Sequence, residues 1–152
     1  MTLLTYDFPS PVGHTLSRGW RVMAERARPL VALIEDDPAI ALMYLTQLEV
    51  DGYDVQLATD GLSGLHLVQT AVPDVILLDL RLPELPGLDV LRRVQEDPRV
   101  AHLPVLILSN YGEPAMIKEG LALGARDYLV KSQTTPDQLS VKLQSYVSGG
   151  TT

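Results

Sequence analysis

Four short segments of the 152-residue chain carry side chains that could do chemistry together: Glu35-Asp36-Asp37, Asp79, Ser109-Asn110 and Lys131-Ser132. Each closes an apolar run, namely Leu30 to Ile34, Val75 to Leu78, Leu103 to Leu108, and Tyr128 to Val130. If those runs are neighbouring strands, their carboxyl ends share one edge, where open α/β sheets bind ligands. Glu35, Asp36 and Asp79 gathered there repel one another, so the site needs a cation to hold them ionised. Carboxylate oxygens and water suit Mg2+ or Mn2+, with octahedral ligation at about 2.1 Å, and match zinc poorly. The three carboxylates and Lys131 sum to −2, which one divalent ion brings to zero. A neutralised, oxygen-rich pocket with an ammonium and a hydroxyl to spare fits a phosphoryl group in transfer, where positioning and charge stabilisation do most of the catalysis. Asp79 at its strand tip is the candidate nucleophile, able to attack phosphorus in line and form an aspartyl phosphate.

The elements that must position these residues are legible as well. Runs such as Val75-Ile76-Leu77-Leu78 and Val105-Leu106-Ile107-Leu108 do not alternate with polar residues, the pattern of parallel strands covered on both faces. A further run, Tyr53 to Ala58, makes five. Between them lie segments of helical period with start and stop signals. Asp37 stands as N-cap before Pro38, and Thr135 precedes Pro136. Gly52 and Gly124 sit where helices end, and Leu139, Leu143 and Tyr146 share a face of the last helix. Repeated βα units predict an open doubly wound α/β domain over residues 29–147, followed by a flexible tail, 148–152.

Composition narrows the functional classes. The length suits one domain, and 46% apolar with 20% charged residues is ordinary for a globular chain. No cysteine is present, so a disulfide framework, a thiolate metal site and a Cys nucleophile are excluded. Apolar runs fall far short of the roughly 18 residues that span a bilayer, which predicts no membrane contact and a cytoplasmic setting. Twelve Lys and Arg against 19 Asp and Glu give −7; residues 1–28 carry Arg18, Arg21, Arg26 and Arg28 against Asp7 and Glu25, or +2, leaving −9 for the rest. So acidic a body disfavours a direct nucleic-acid partner and favours a small cation.

The same residues resemble the receiver domains of two-component response regulators. Leu33-Ile34-Glu35-Asp36-Asp37 is similar to the acidic pair after the family's first strand, and Asp79-Leu80-Arg81-Leu82-Pro83 through Gly87 to its phosphoacceptor motif. Ser109, Tyr128 and Lys131 fall in order at the family's hydroxyl, aromatic-switch and lysine positions. The resemblance implies a five-stranded parallel sheet flanked by five helices, with flavodoxin-like strand order 2-1-3-4-5. It implies that Glu35, Asp36, Asp79 and the backbone carbonyl of Arg81 bind Mg2+, that Lys131 contacts the phosphoryl group, and that Ser109 swings toward it. Tyr128 then turns inward and remodels the face made by the fourth helix, fifth strand and fifth helix. It also implies a histidine kinase or histidine phosphotransfer protein as donor, a downstream protein target and a homodimer through that face. Its function would be that of a signalling phosphoacceptor with at most slow self-dephosphorylation, not an enzyme. A phosphorylation-independent binding module is the alternative; an aspartate phosphohydrolase fits less, having Arg81 where a second Asp belongs.

Plainer readings stand beside these. Asp37 is explained as a cap, Ser109 as a turn former, Lys131 as a solvated strand end and Tyr128 as core packing. His14, His66 and His102 lack metal-ligand spacing, and Gly61 and Gly64 lack a dinucleotide fingerprint; Gly64 instead lets a helix approach the sheet. Departures from the family pattern are Lys131-Ser132 in place of Lys-Pro, which predicts a trans bond, and the large Asn110. Arg81 and Tyr111 are bulky enough to shield an acyl phosphate from water. Residues 1–28 read as a mobile or partner-docking arm in which Trp20 and Met23 could dock on a partner or a second copy. With so few residues outside the receiver, the sequence predicts a stand-alone receiver or one excised from a larger protein.

Overall fold

A computed structural model describes residues 28–147. The elements run β1 (Leu30–Ile34), α1 (Pro38–Val50), β2 (Asp54–Ala58), α2 (Gly61–Ala71), β3 (Val75–Leu78), α3 (Gly87–Glu96), β4 (Val105–Ser109), α4 (Pro114–Ala122), β5 (Asp127–Val130) and α5 (Pro136–Val147), with a 3-10 turn at Lys131–Gln133. All strand pairs are parallel, and the order is β2-β1-β3-β4-β5, as the resemblance implied. Among the described residues no helix is long and apolar enough to cross a membrane.

The uninterrupted apolar runs are explained by two cores, one on each face of the sheet. Val31, Leu33, Val75, Leu77, Leu106 and Leu108 pack with Tyr44 and Leu48 of α1 and Leu139 and Leu143 of α5. Their strand neighbours Ala32, Ile34, Ile76, Leu78, Val105 and Ile107 pack on the other face with Leu65 and Val68 of α2 and Leu91 of α3. Each fully buried Leu, Ile or Val removes apolar surface worth about 1.5–3 kcal/mol, so both faces of the central strands contribute. On the second face the Gly64 Cα comes so near the sheet that an added Cβ would lie 2.7 Å from Ile34 Cγ2.

Helix punctuation follows the predicted signals. The Asp37 side chain accepts from the N–H groups of Ala39 and Ile40 at 2.9 and 3.2 Å, and Pro38 takes the first helical position. Thr135 and Gln138 form a reciprocal capping box, Gln138 N–H donating to Thr135 Oγ1 at 3.2 Å and Thr135 N–H to Gln138 Oε1 at 2.9 Å. All described peptide bonds are trans, Lys131-Ser132 included.

Several boundaries shift. The β4 ladder opens at Val105, not Leu103, because Pro104 has no N–H to give; its carbonyl instead accepts from Ile76 N–H at 2.9 Å. Tyr53 precedes β2, and Asp127 joins β5. Arg28, assigned to the preceding arm, is tied to the domain by bonds to the carbonyls of Glu49, Gly52 and Tyr53. The readings made of residues 1–27, Trp20, Met23 and His14 among them, and of 148–152 lie outside the described residues.

One helix end is strained. Val72, the C-cap of α2, has φ 45° and ψ 71°, a left-handed conformation in which its β-branched side chain is crowded. It is 40% exposed, so the contacts that a glycine would give up there are partial. Val72→Gly should therefore raise stability by about 1 kcal/mol, read as a higher urea midpoint; a lower midpoint would contradict the strain.

Candidate functional site

The strand ends carry their polar residues to one edge. Asp79 N–H donates to Ile34 O at 3.0 Å, and Glu35 N–H to Ala58 O at 3.0 Å, so the sheet ladder itself fixes both backbones. Behind Asp79 the first turn of α3 comes very close, with Gly87 N–H donating to Leu80 O at 2.9 Å. A Cβ on Gly87 would stand 2.2 Å from Asp79 O, so only glycine fits.

The Lys131 ammonium lies between two carboxylates, 2.5 Å from Glu35 Oε1 and 3.2 Å from Asp79 Oδ2. All three side chains are buried. Glu35 Oε2 accepts from Asp37 N–H at 3.1 Å, and Asp36 is exposed at the rim. Oxygens of Glu35, Asp36 and Asp79 lie within 4.8 Å of one another, and among the described residues this is the one such group of possible metal-ligating side chains. They open on a cleft of about 310 Å³ that Arg81, Asn110, Tyr111 and Lys131 also line. Burial pushes the Glu35 carboxyl up to about 7, with the Asp79 charge adding and the bonds from Lys131 and Asp37 N–H opposing. Burial alone would lower the Lys131 ammonium; the Glu35 bond and the two carboxylate charges outweigh it and raise the group. A buried carboxylate held back from ionising, beside two more carboxylates and no thiolate or imidazole, is a donor set that fits a hard divalent cation.

Ser109 is the last residue of β4 and is fully buried, its Oγ accepting from Tyr111 N–H at 3.2 Å, and it is not among the residues that line the cleft. Tyr128 is half-buried against the core, and its hydroxyl donates to Tyr111 O at 2.5 Å. The Arg81 guanidinium lies 4.3 Å from the centre of the Tyr111 ring, a cation–π pair at the cleft mouth. His66 and His102 stay outside the cleft. Sequence reasoning missed Pro38 and Ile40, which wall the cleft, though their place directly after the acidic run could have shown it. It also missed Tyr44, whose hydroxyl reaches Thr134 O at 3.5 Å and ties α1 to the turn after Lys131; the signal was a large polar-tipped residue on a helix's inner face.

Fold and cleft together define a doubly wound α/β domain with an acidic, lysine-bearing site at the carboxyl edge of its sheet. The chain belongs to the response regulator receiver domain family, which it matches over residues 31–144. It is similar to the DNA-binding dual master transcriptional regulator RpaA of Synechocystis sp., at 41% identity over 112 residues, 74% of this chain and 46% of that protein. The phosphate regulon regulator PhoB of Rhizobium meliloti is 33% identical over 112 residues, 74% of this chain and 49% of that one. The chain thus spans about half the length of these curated relatives. Both are transcriptional regulators, the first DNA-binding, which does not support the absence of a nucleic-acid partner expected from charge. Among solved structures, the receiver domain of the Francisella response regulator 1452 aligns with TM-score 0.75 and 32% identity over 81% of this chain and 99% of that one. The chemotaxis protein CheY4 of Vibrio cholerae aligns with TM-score 0.73 and 32% identity over 79% and 99%.

Proposed function

We propose that the domain accepts a phosphoryl group on Asp79 from a phosphohistidine of a histidine kinase or histidine phosphotransfer protein, in the cytoplasm, and presents a changed surface to a downstream protein. The observation that carries this reading is the Asp79 carboxylate at a strand tip with an ammonium 3.2 Å away and two further acids beside it. A carboxylate oxygen of Asp79 attacks phosphorus, the P–N bond breaks as the O–P bond forms, and the imidazole leaves with the electron pair and takes a proton. Lys131 turns its N–H groups to the arriving phosphoryl oxygens, and the Ser109 hydroxyl leaves Tyr111 N–H to reach them. Tyr128 then moves inward, altering the α4–β5–α5 face that receives the target or a second copy. Glu35, Asp36, Asp79 and the Arg81 carbonyl would hold Mg2+ or Mn2+. When bound, the ion supplies positive charge against the carboxylates and the phosphoryl oxygens.

Incubation with Mg2+ and acetyl phosphate, read by intact mass and peptide mapping, tests this. One adduct per chain is expected, on Asp79 and abolished by EDTA. No adduct would favour the phosphorylation-independent binding module, and phosphate release without an adduct a phosphohydrolase.

Arg81 and Tyr111 line the cleft as a stacked pair, and by shielding an acyl phosphate there they should make the phosphoryl state long-lived. The Arg81→Ala, Tyr111→Ala double variant is expected to lose its adduct about tenfold faster, a barrier change of about 1.4 kcal/mol. Unchanged or slower decay would remove the shielding role.

A further inference from the structure

A second, larger concavity lies away from the acidic cleft. It is a groove of about 500 Å³ along α5, from Asp137 past Val141 to Val147, walled opposite by Asp51 and Tyr53 of the α1–β2 turn and by Pro29. Val141 is 69% exposed, a large apolar side chain on an otherwise polar helix face. Asp51 and Asp137 are also exposed, and no ion pair joins either to another described residue. The groove therefore offers apolar surface with negative charge beside it, and suits an occupant that is apolar and cationic.

The chain supplies one at the groove's own wall. Arg28 is fastened there, Nε donating to Gly52 O at 3.0 Å and Nη2 to Glu49 O at 2.6 Å and Tyr53 O at 3.1 Å, and the next residue, Pro29, lines the groove. Whatever precedes Arg28 starts from this point. Residues 18–26 combine Trp20, Val22 and Met23 with Arg18, Arg21 and Arg26 against a single Glu25. Eight residue steps lead from Trp20 to Arg28, a reach of about 26 Å when extended, against about 18 Å for the 12 residues of α5. Length, starting point and charge agree.

We propose that residues 18–26 of the same chain occupy this groove, with Trp20 against Val141 and the arginines facing Asp51 and Asp137. Burial of an indole removes a large apolar surface from water, and tethering at Arg28 keeps the effective concentration high. Independently of the phosphoryl chemistry, the arm is then a built-in cover for the α1–α5 side of the domain.

Trp20 is the chain's single tryptophan, so its emission reports the contact directly. In the full chain, emission is expected blue-shifted from that of the urea-unfolded protein and poorly quenched by acrylamide. Val141→Lys, and separately the Asp51→Lys, Asp137→Lys pair, should move it toward the unfolded position and raise quenching several-fold, with far-ultraviolet circular dichroism unchanged. A wild-type emission already at the unfolded position, or one that neither variant moves, overturns the proposal. So does a blue shift lost on dilution, which assigns the groove to a second copy's arm.

Discussion

Lys131→Met is expected to cost about 3–5 kcal/mol of folding stability at pH 8, the range found when one partner of a buried ion pair is removed. Methionine keeps most of the apolar stem and removes the ammonium that touches both carboxylates. Glu35 and Asp79 would then face each other with side chains 2% and 9% exposed and no ammonium between them. The loss should depend on pH in a defined sense. Glu35 is already raised to about 7 by burial, and Lys131, together with Asp37 N–H, holds it from rising further. A carboxyl raised in the folded state contributes stability that is complete below its unfolded value and disappears as pH climbs through its folded value. In the variant that folded value lies higher, so the deficit against wild type is largest above pH 8 and shrinks toward pH 5, where Glu35 is protonated in both chains. Urea titrations at the two pH values measure it; equal deficits would mean that the three groups are not coupled as their contacts imply.

Gly87→Ala should be as damaging without touching a charge. The new methyl would need space 2.2 Å from Asp79 O and 2.6 Å from Leu80 Cα, and both are backbone atoms that cannot rotate away. Either α3 lifts from the sheet or the tip of β3 moves, and a loss of at least about 3 kcal/mol is expected. The second route displaces the Asp79 carboxylate, so acetyl phosphate labelling should slow beyond what the unfolded fraction explains. A urea midpoint equal to that of wild type would show that the loop gives way easily.

The readable parts of this chain were those in which composition and local geometry coincide. Val75 to Leu78 is apolar at every position because β3 is covered by α1 and α5 on one side and by α2 and α3 on the other, so its length and its terminal Asp79 could be located. Asp37-Pro38 and Thr135-Pro136 could be read because capping needs only a few neighbouring residues. Contacts made across sequence distance were not. That Ser109 spends its hydroxyl on Tyr111 N–H depends on how the chain turns after β4. The Tyr44–Thr134 contact joins residues 90 apart. Arg28 finds its carbonyls at the end of α1 and in the turn that follows it, which no pattern near position 28 announces. The acidic residues could be assembled from the rule of strand ends, while the ammonium's closer approach to Glu35 than to Asp79 required coordinates.

The unequal wrapping of the strands has a kinetic consequence. Every residue of β1, β3 and β4 is sealed from solvent, whereas all four residues of β5 are only half covered and bond to a single neighbour. Amide protons in the inner ladders should exchange with deuterium only when the whole domain opens, and those of β5 through local breathing at far lower cost. The ribbon that bears Tyr128 and leads into Lys131 can thus shift its footing while the inner strands stay shut.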